Sequence, residues 1–431
     1  MGLNMTNLIM HVVKPGDTVY RIAQKYKVSP DNIIADNQIS DVRRLVPGQA
    51  LVVIQNRFEH IVQPGESFYS IAASYEIPLE DLIKSNPGIA DPNVIFHGQI
   101  IQLPNVQKGG EITVNGFMHP PVSREDLLAA LPSLTYLSIF SYQVMPDGSL
   151  NSVDDSSTVQ AANQAGVMPC MVITNISDEE GFNVEIASTI LNSKQAQTTL
   201  LNNCMEIIRT KGYQGLVVDF EFVLPQDRGK YSAFLERAAR QLHAEGYILL
   251  VVAVPKTSET QPGLAFEGHD YDAFGRICDY VILRTYEGYG PPMLLSPINQ
   301  VKPVLDYAVT TIPSEKILLG IPCYGYDWTL PYAEGTQTRA LSPLQAVRLA
   351  MTVGADIEYN LEGAAAYFYY YDVSGSQHFV SFLDARSVYE KLKLVSKYQL
   401  GGVSYWTVNN RFEPANLVVN SLRTVKKSEN R

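Results

Sequence analysis

Asp219 and Glu221 end the run Gly215-Leu-Val-Val-Asp219-Phe-Glu221. Residues two apart on a strand share a face, so both carboxyls follow Gly215 and Val217 on one side of an otherwise apolar segment. Two carboxyl groups above an apolar surface cannot both ionise without cost. One of them is expected to keep its proton above the usual range, as a general acid must. The competing reading is a structural pair held by a cation such as Arg284. Other polar and aromatic residues end apolar runs in the same way: Tyr142, Asn175, Pro255-Lys256, Arg284-Thr285-Tyr286-Glu287, Tyr324 with Trp328, and Tyr405-Trp406. Trp328 and Trp406 are the only tryptophans. Flat rings at such ends either stack on a sugar face or simply pack.

These ends need a scaffold that brings them together. The apolar runs are 112–117, 136–142, 167–174, 215–222, 248–254, 280–285, 317–323 and 402–407. Their unbroken Val/Ile/Leu character suits parallel strands buried on both faces. Between them, stretches such as 191–212 and 228–246 show helical apolar spacing and end on glycine. Eight such units over about 320 residues predict a (β/α)8 barrel with its chemistry at the C-terminal ends of the strands. The last two runs are separated by 78 residues, more than one helix needs. Within that gap, 365–372 and 378–382 flank Ser374-Gly375-Ser376 and predict a hairpin. The expected fold is therefore α/β: a TIM barrel over 111–425 with a small α+β insertion at about 329–382, between strands seven and eight.

Upstream, His11-Val-Val-Lys-Pro-Gly-Asp-Thr-Val-Tyr20 returns as His60-Ile-Val-Gln-Pro-Gly-Glu-Ser-Phe-Tyr69, an offset of 49. The offset persists to Asn37/Asn86 and becomes 50 at Pro47-Gly48-Gln49 against His97-Gly98-Gln99. Each copy predicts strand, Pro-Gly turn, two helices and a closing strand, over 10–55 and 59–104, with a Gly-rich linker at 105–110. The strands expected are 11–13 with 51–54, and 60–62 with 100–103. This pattern resembles the LysM domain along nearly the whole of both copies. The resemblance implies βααβ modules that bind N-acetylglucosamine-containing glycan in a groove between two loops. Those loops map to Gly16, Asp17 and Thr18 with Asn37–Ser40, and to Gly65, Glu66 and Ser67 with Asn86–Ile89. The bland reading, that Gly16 and Asp17 only make a turn and a cap, is compatible with this.

The larger part resembles the family 18 glycoside hydrolases over roughly 110–425. Gly215–Glu221 is similar to the end of that family's strand-four Asp-Gly-x-Asp-x-Asp-x-Glu motif, Tyr286-Glu287 to its strand-six Tyr-Asp pair, and Gly401-Gly-Val-Ser-Tyr-Trp406 to its last strand. The resemblance implies retaining, substrate-assisted hydrolysis. Glu221 protonates the glycosidic oxygen, Asp219 orients the attacking 2-acetamido group, Tyr286 hydrogen-bonds its oxygen and Trp406 floors the site. Glu287, Tyr142, Asn175, Tyr324 and Trp328 are the expected substrate contacts. Two positions depart from the pattern. Gln214 and Val217 stand where the fuller motif has Asp, so Asp219 lacks the neighbour with which it would share a proton.

Composition sets the remaining limits. The 431 residues carry 33 Lys/Arg against 44 Asp/Glu, a net −11, which argues against a nucleic-acid partner. Residues 1–110 hold 9 basic and 10 acidic groups, residues 111–431 hold 24 and 34. The repeats are thus nearly neutral, as recognition of uncharged sugar allows. No run of about 18 apolar residues predicts a membrane span, and residues 1–13 lack the marks of a Sec signal peptide. Cys170, Cys204, Cys278 and Cys323 have no CxxC spacing and read as buried thiols; His119, His269 and His378 have no metal-ligand spacing. No metal or cofactor is expected, and a monomer is.

Two LysM modules ahead of a family 18 barrel, with Gly-Ile-Pro-Cys-Tyr-Gly-Tyr-Asp-Trp328 and Val-Ser-Phe-Leu-Asp-Ala-Arg-Ser387, resemble the spore cortex-fragment-lytic N-acetylglucosaminidases of Bacillus-type bacteria. That implies hydrolysis of cortex peptidoglycan during germination by a spore-associated protein. The alternatives are a chitinase or general cell-wall glucosaminidase with the same chemistry, and a non-catalytic glycan-binding coat protein. Glu221 argues against the last.

Overall fold

The computed structural model describes residues 8–55, 59–75, 77–89, 91–103, 108–178, 181–286, 293–333, 336 and 338–427. Each repeat is a βααβ unit. In the first, strands Leu8–Val12 and Ala50–Ile54 pair antiparallel around helices Val19–Tyr26 and Pro30–Asp36. In the second, strands Glu59–Ile61 and Ile100–Gln102 pair around helices Phe68–Ser74 and Leu79–Lys84. The helices begin where capping chemistry puts them. The Thr18 side chain accepts from Arg21 N–H, and Ser67 forms a reciprocal capping box with Ser70. Each unit closes its own small core, Val13, Val19, Ile22, Ile33, Leu51 and Val53 in one, Val62, Phe68, Ile71, Leu82 and Ile101 in the other.

Eight parallel strands follow: Gly109–Met118, Tyr136–Gln143, Met168–Thr174, Gly215–Asp219, Ile248–Ala253, Tyr280–Leu283, Ile317–Pro322 and Gly402–Trp406. The eighth pairs with the first, Gly402 with Thr113 through Tyr405 with Gly116, and closes the barrel. Its interior is plugged by Phe117, Tyr136, Cys170, Val172, Val217, Leu250, Val252, Ile282 and Leu318. A larger apolar layer lies between the strands and the surrounding helices. Helix Lys194–Lys211 ends on Gly212 at φ 82°, the left-handed cap that glycine takes without a Cβ clash. Gly109 and Gly110 do not belong to a linker. They open barrel strand one, whose start also pairs with a short strand at Arg423–Val425. Residues 104–107 lie outside the described residues.

The insertion is larger than one hairpin. Five antiparallel strands run in the order Arg339–Leu341, Gly325–Leu330, Gln377–Phe382, Ala365–Tyr371, Glu358–Asn360. The sheet thus starts at Gly325, next to the end of barrel strand seven, and packs a helix at Pro343–Val353 against Phe368, Val380 and Phe382.

The first repeat is docked on this body. Ile357 N–H donates to Pro47 O at 2.8 Å, Arg44 Nη2 to Met351 O at 3.0 Å and Arg386 Nη2 to Gly48 O at 3.1 Å. Glu413 N–H donates to Gln38 Oε1 at 2.8 Å. Val46 is buried in the lobe's core cluster and Val52 in the main one.

Candidate active site

Strand four brings the acid pair to the mouth of the barrel. Val217 points into the plug, and the next two residues of that face, Asp219 and Glu221, are each only 4% exposed. Asn175, at the end of strand three, fixes the backbone of Glu221 from both sides. Its Oδ1 accepts from Glu221 N–H at 2.9 Å and its Nδ2 donates to Glu221 O at 2.8 Å. Arg284, at the end of strand six, places Nη1 2.6 Å from Glu221 Oε1. Burial holds the Asp219 carboxyl well above the usual carboxylate range, and the Arg284 charge pulls it partly back. The raised carboxyl is that of Asp219, whereas the pairing on strand four predicts that of the general acid. The cause differs from that expected: desolvation leads, not repulsion between the two acids, because a cation sits on Glu221.

Tyr286 and Trp406 complete the floor. Their rings are stacked with centroids 6.3 Å apart at 21°. Trp406 is boxed edge-on by Phe117, His119 and Phe140, at centroid distances of 5.1, 5.4 and 4.8 Å. Tyr286 is buried, with Asp219, Arg284 and Ser404 as neighbours, and burial pushes its hydroxyl upward. It seats against Gly320, where an added Cβ would lie 2.3 Å from the ring. A cavity of about 340 Å³ lies beyond strands five and six, lined by Pro255, Thr257, Gln261, Thr285, Ser296 and Asn299 among others, and none of Asp219, Glu221, Tyr286 or Trp406 lines it.

Several expected contacts lie elsewhere. Tyr142 faces the helix layer. Its hydroxyl donates to Asp155 Oδ2 and accepts from Lys211 Nζ at 2.8 Å. The pairing of strands two and three shifts register between Ile139 and Tyr142, so alternation carries Phe140 to the barrel interior and turns Tyr142 away. Asn175 is fully buried, and its amide is spent on backbone groups of Glu221 and Asn183. It lies behind the acid rather than in the cleft. Trp328 is buried in the lobe, stacked on Phe379 at 5.7 Å and tilted on Tyr326 at 5.3 Å. Tyr324 packs edge-on against Tyr326. Glu287 lies outside the described residues.

In the repeats, the glycines Gly16 and Gly65 make positive-φ turns in exposed loops. Asp17 accepts from Lys14 N–H and His11 Nε2, and Glu66 from Gln63 N–H and His60 Nε2. Thr18 and Ser67 cap helices. Asn37 and Asn86 are buried under the second loop, each donating to one carbonyl of its own helix and exchanging two bonds with the closing strand, at Val52 and Gln102. These asparagines tie the end of the second helix to the closing strand. The residues missed by pattern are Arg284, weighed only as a structural partner, and Phe140. For Arg284 the available signal was the same as for Asp219, a charged group ending an apolar strand.

No three His, Cys, Asp or Glu among the described residues are grouped to hold a metal, and no described helix is long and apolar enough to cross a membrane. The four cysteines are buried and free.

Comparison with known proteins agrees with this geometry. The family described as glycosyl hydrolases family 18 matches residues 126–410, and the LysM domain matches 11–53 and 60–104. The cortical fragment-lytic enzyme of Bacillus subtilis (strain 168) is 40% identical over 432 residues, covering 97% of this chain and 99% of that protein. Its Bacillus anthracis namesake is 38% identical over 430 residues, covering 96% and 98%. The crystal structure of the spore cortex-lytic enzyme SleL from Bacillus megaterium QM B1551 superposes with a TM-score of 0.87 at 32% identity, covering 98% of this chain and all of that one. With the acid pair on strand four, the aromatic floor on strand eight and a match across the barrel, the chain belongs to glycosyl hydrolase family 18 and carries two LysM domains.

Proposed function

We propose that the chain is an N-acetylglucosaminidase that cleaves spore cortex peptidoglycan, or its fragments, during germination, and that it works at the spore. The observation that carries the reaction is the buried Asp219–Glu221 pair, with Glu221 held by Asn175 and Arg284 beside the Tyr286–Trp406 floor. The cortex assignment is supported by the relatives' names and by a match that runs over nearly the whole of both chains.

Glu221 gives its proton to the glycosidic oxygen as the bond to the anomeric carbon breaks. The substrate's own acetamido oxygen attacks that carbon from the other face. Asp219 orients the acetamido N–H and stabilises the positive charge that develops, while the Tyr286 hydroxyl holds the acetamido oxygen. Water then adds to the anomeric carbon and gives a proton to Glu221, which restores the acid. Arg284 Nη1 lies 2.6 Å from Glu221 Oε1, so Glu221 must give up that contact and take a proton from solvent before it can act as the acid. Val217 leaves Asp219 without an acidic neighbour inside the barrel. Burial then does for its proton what a second carboxyl would otherwise do.

The test is digestion of cortex fragments, chitin and vegetative wall by wild type and Glu221→Gln, with the new reducing-end sugar identified. Loss of an acid of this kind lowers the rate about 10²–10⁴-fold. N-acetylglucosamine ends on cortex fragments, lost in the variant, support the reading. Faster turnover of chitin or vegetative wall would replace the substrate but keep the chemistry. Equal behaviour of the two proteins would leave a glycan-binding protein without catalysis.

A further inference from the structure

The two LysM copies share a fold and differ in what touches their loops. A groove formed by two loops needs both of them open. In the first copy the loop after the second helix is taken up by the barrel: Gln38, at φ 49°, accepts from Glu413 N–H, and Asp36 is drawn into the contact, its carboxyl raised by burial and by the nearby Glu413. A small cavity lined by Asn37, Gln49, Phe412 and Pro414 marks how closely this loop approaches helix Glu413–Leu422. In the second copy Pro87, equivalent to Gln38, and the next residue, Gly88, are exposed, and a Cβ on Gly88 would meet nothing within 4 Å. The first loops, Gly16–Thr18 and Gly65–Ser67, are equally open in both.

Charge divides the copies the same way. Residues 8–55 carry 6 Lys/Arg and 4 Asp/Glu, whereas residues 59–103 carry 1 and 6. The basic copy lies on the acidic barrel, with Arg44 in the contact. The acidic copy carries the same sign of charge as that body. One matched apolar position agrees. Phe96 is 68% exposed, while Val46 at the matching position is 2% exposed in the lobe core.

From this we infer that the grip on insoluble N-acetylated glycan belongs to the second module, and that the first is a fixed part of the catalytic body. The inference rests on the reading of the pair as glycan-binding. Full-length chains with a tryptophan placed in the second loop of one module or the other, Gly88→Trp or Ser40→Trp, separate the two. Both sites are exposed, and thermal melting checks that each variant folds. Co-sedimentation with insoluble peptidoglycan is the readout. Gly88→Trp is expected to weaken binding tenfold or more and Ser40→Trp less than twofold. Equal losses, a larger loss for Ser40→Trp, or no loss in either overturn the assignment. Failure of the wild-type chain to sediment would instead overturn the glycan-binding reading beneath it.

Discussion

The two LysM copies are nearly the same local structure under opposite constraints. His11 bridges Tyr26 and Asp17 as His60 bridges Tyr75 and Glu66, and the closing turns place Gly48 at φ 82° and Gly98 at φ 85°. Yet a Cβ on Gly48 would stand 1.7 Å from Ile357 O, and one on Gly98 would meet nothing within 4 Å. At one copy glycine is required twice, by the backbone angle and by a neighbour; at the other only by the angle. The lesson is that a repeat's sequence signature reports its internal turn chemistry and is silent on what lies across the turn.

The sharpest way to break this comparison is to change both glycines. Gly48→Ala adds a collision to a conformational penalty of about 1–2 kcal/mol, for a total of roughly 2–5 kcal/mol. Hydrogen exchange should rise across residues 8–55 and spread to the lobe around Ile357. Gly98→Ala should cost only the first part and raise exchange in residues 59–103 alone; equal spread from both would refute the difference in docking. Next in size is Val46→Ala, which removes buried methyl groups from the lobe core at about 1.5 kcal/mol, against Phe96→Ala, which should fall within about 0.5 kcal/mol of zero. Thermal unfolding measures both, and a larger loss for Phe96→Ala would mean its ring is covered in solution.

The smallest effect should be common to the copies. Backbone N–H groups of Lys14 and Gln63 hold the Asp17 and Glu66 carboxyls below their usual values of 3.8 and 4.5. A carboxyl lowered by folding contributes stability above its unfolded pKa and loses it as pH falls through the folded one. Both modules should therefore loosen together below about pH 4, seen as parallel exchange in peptides from each. Loosening of one alone would show that docking, not the carboxyl, sets acid sensitivity.

What the chain reveals before folding is uneven for physical reasons. Asp219 was legible because strand alternation places it on the face of Val217, and Glu221 follows two residues on, just past the end of strand four at Asp219. The same rule failed at Tyr142, where a register shift between two strands reverses the face and no turn residue announces it. Trp328 was ambiguous because both outcomes put a ring at a strand end; the pairing that buries it, Trp328 opposite Phe379, joins segments far apart in the chain. Asn175 was found in position but not in role, since a buried amide braced on another strand's backbone has no local pattern. The docking of the first module left no trace, because Val94 and Phe96, in the open copy, are more apolar than Arg44 and Val46, in the covered one.

The docked module has one topological result. The chain leaves the body after residue 55, runs through the second module and re-enters it at Gly109, so that module is a loop pinned at both ends. Captured glycan is thereby kept at high local concentration near the barrel rather than on a free tether. One chain break on either side of this module would nick the protein without releasing the module; only a second break, on the other side, would set it loose.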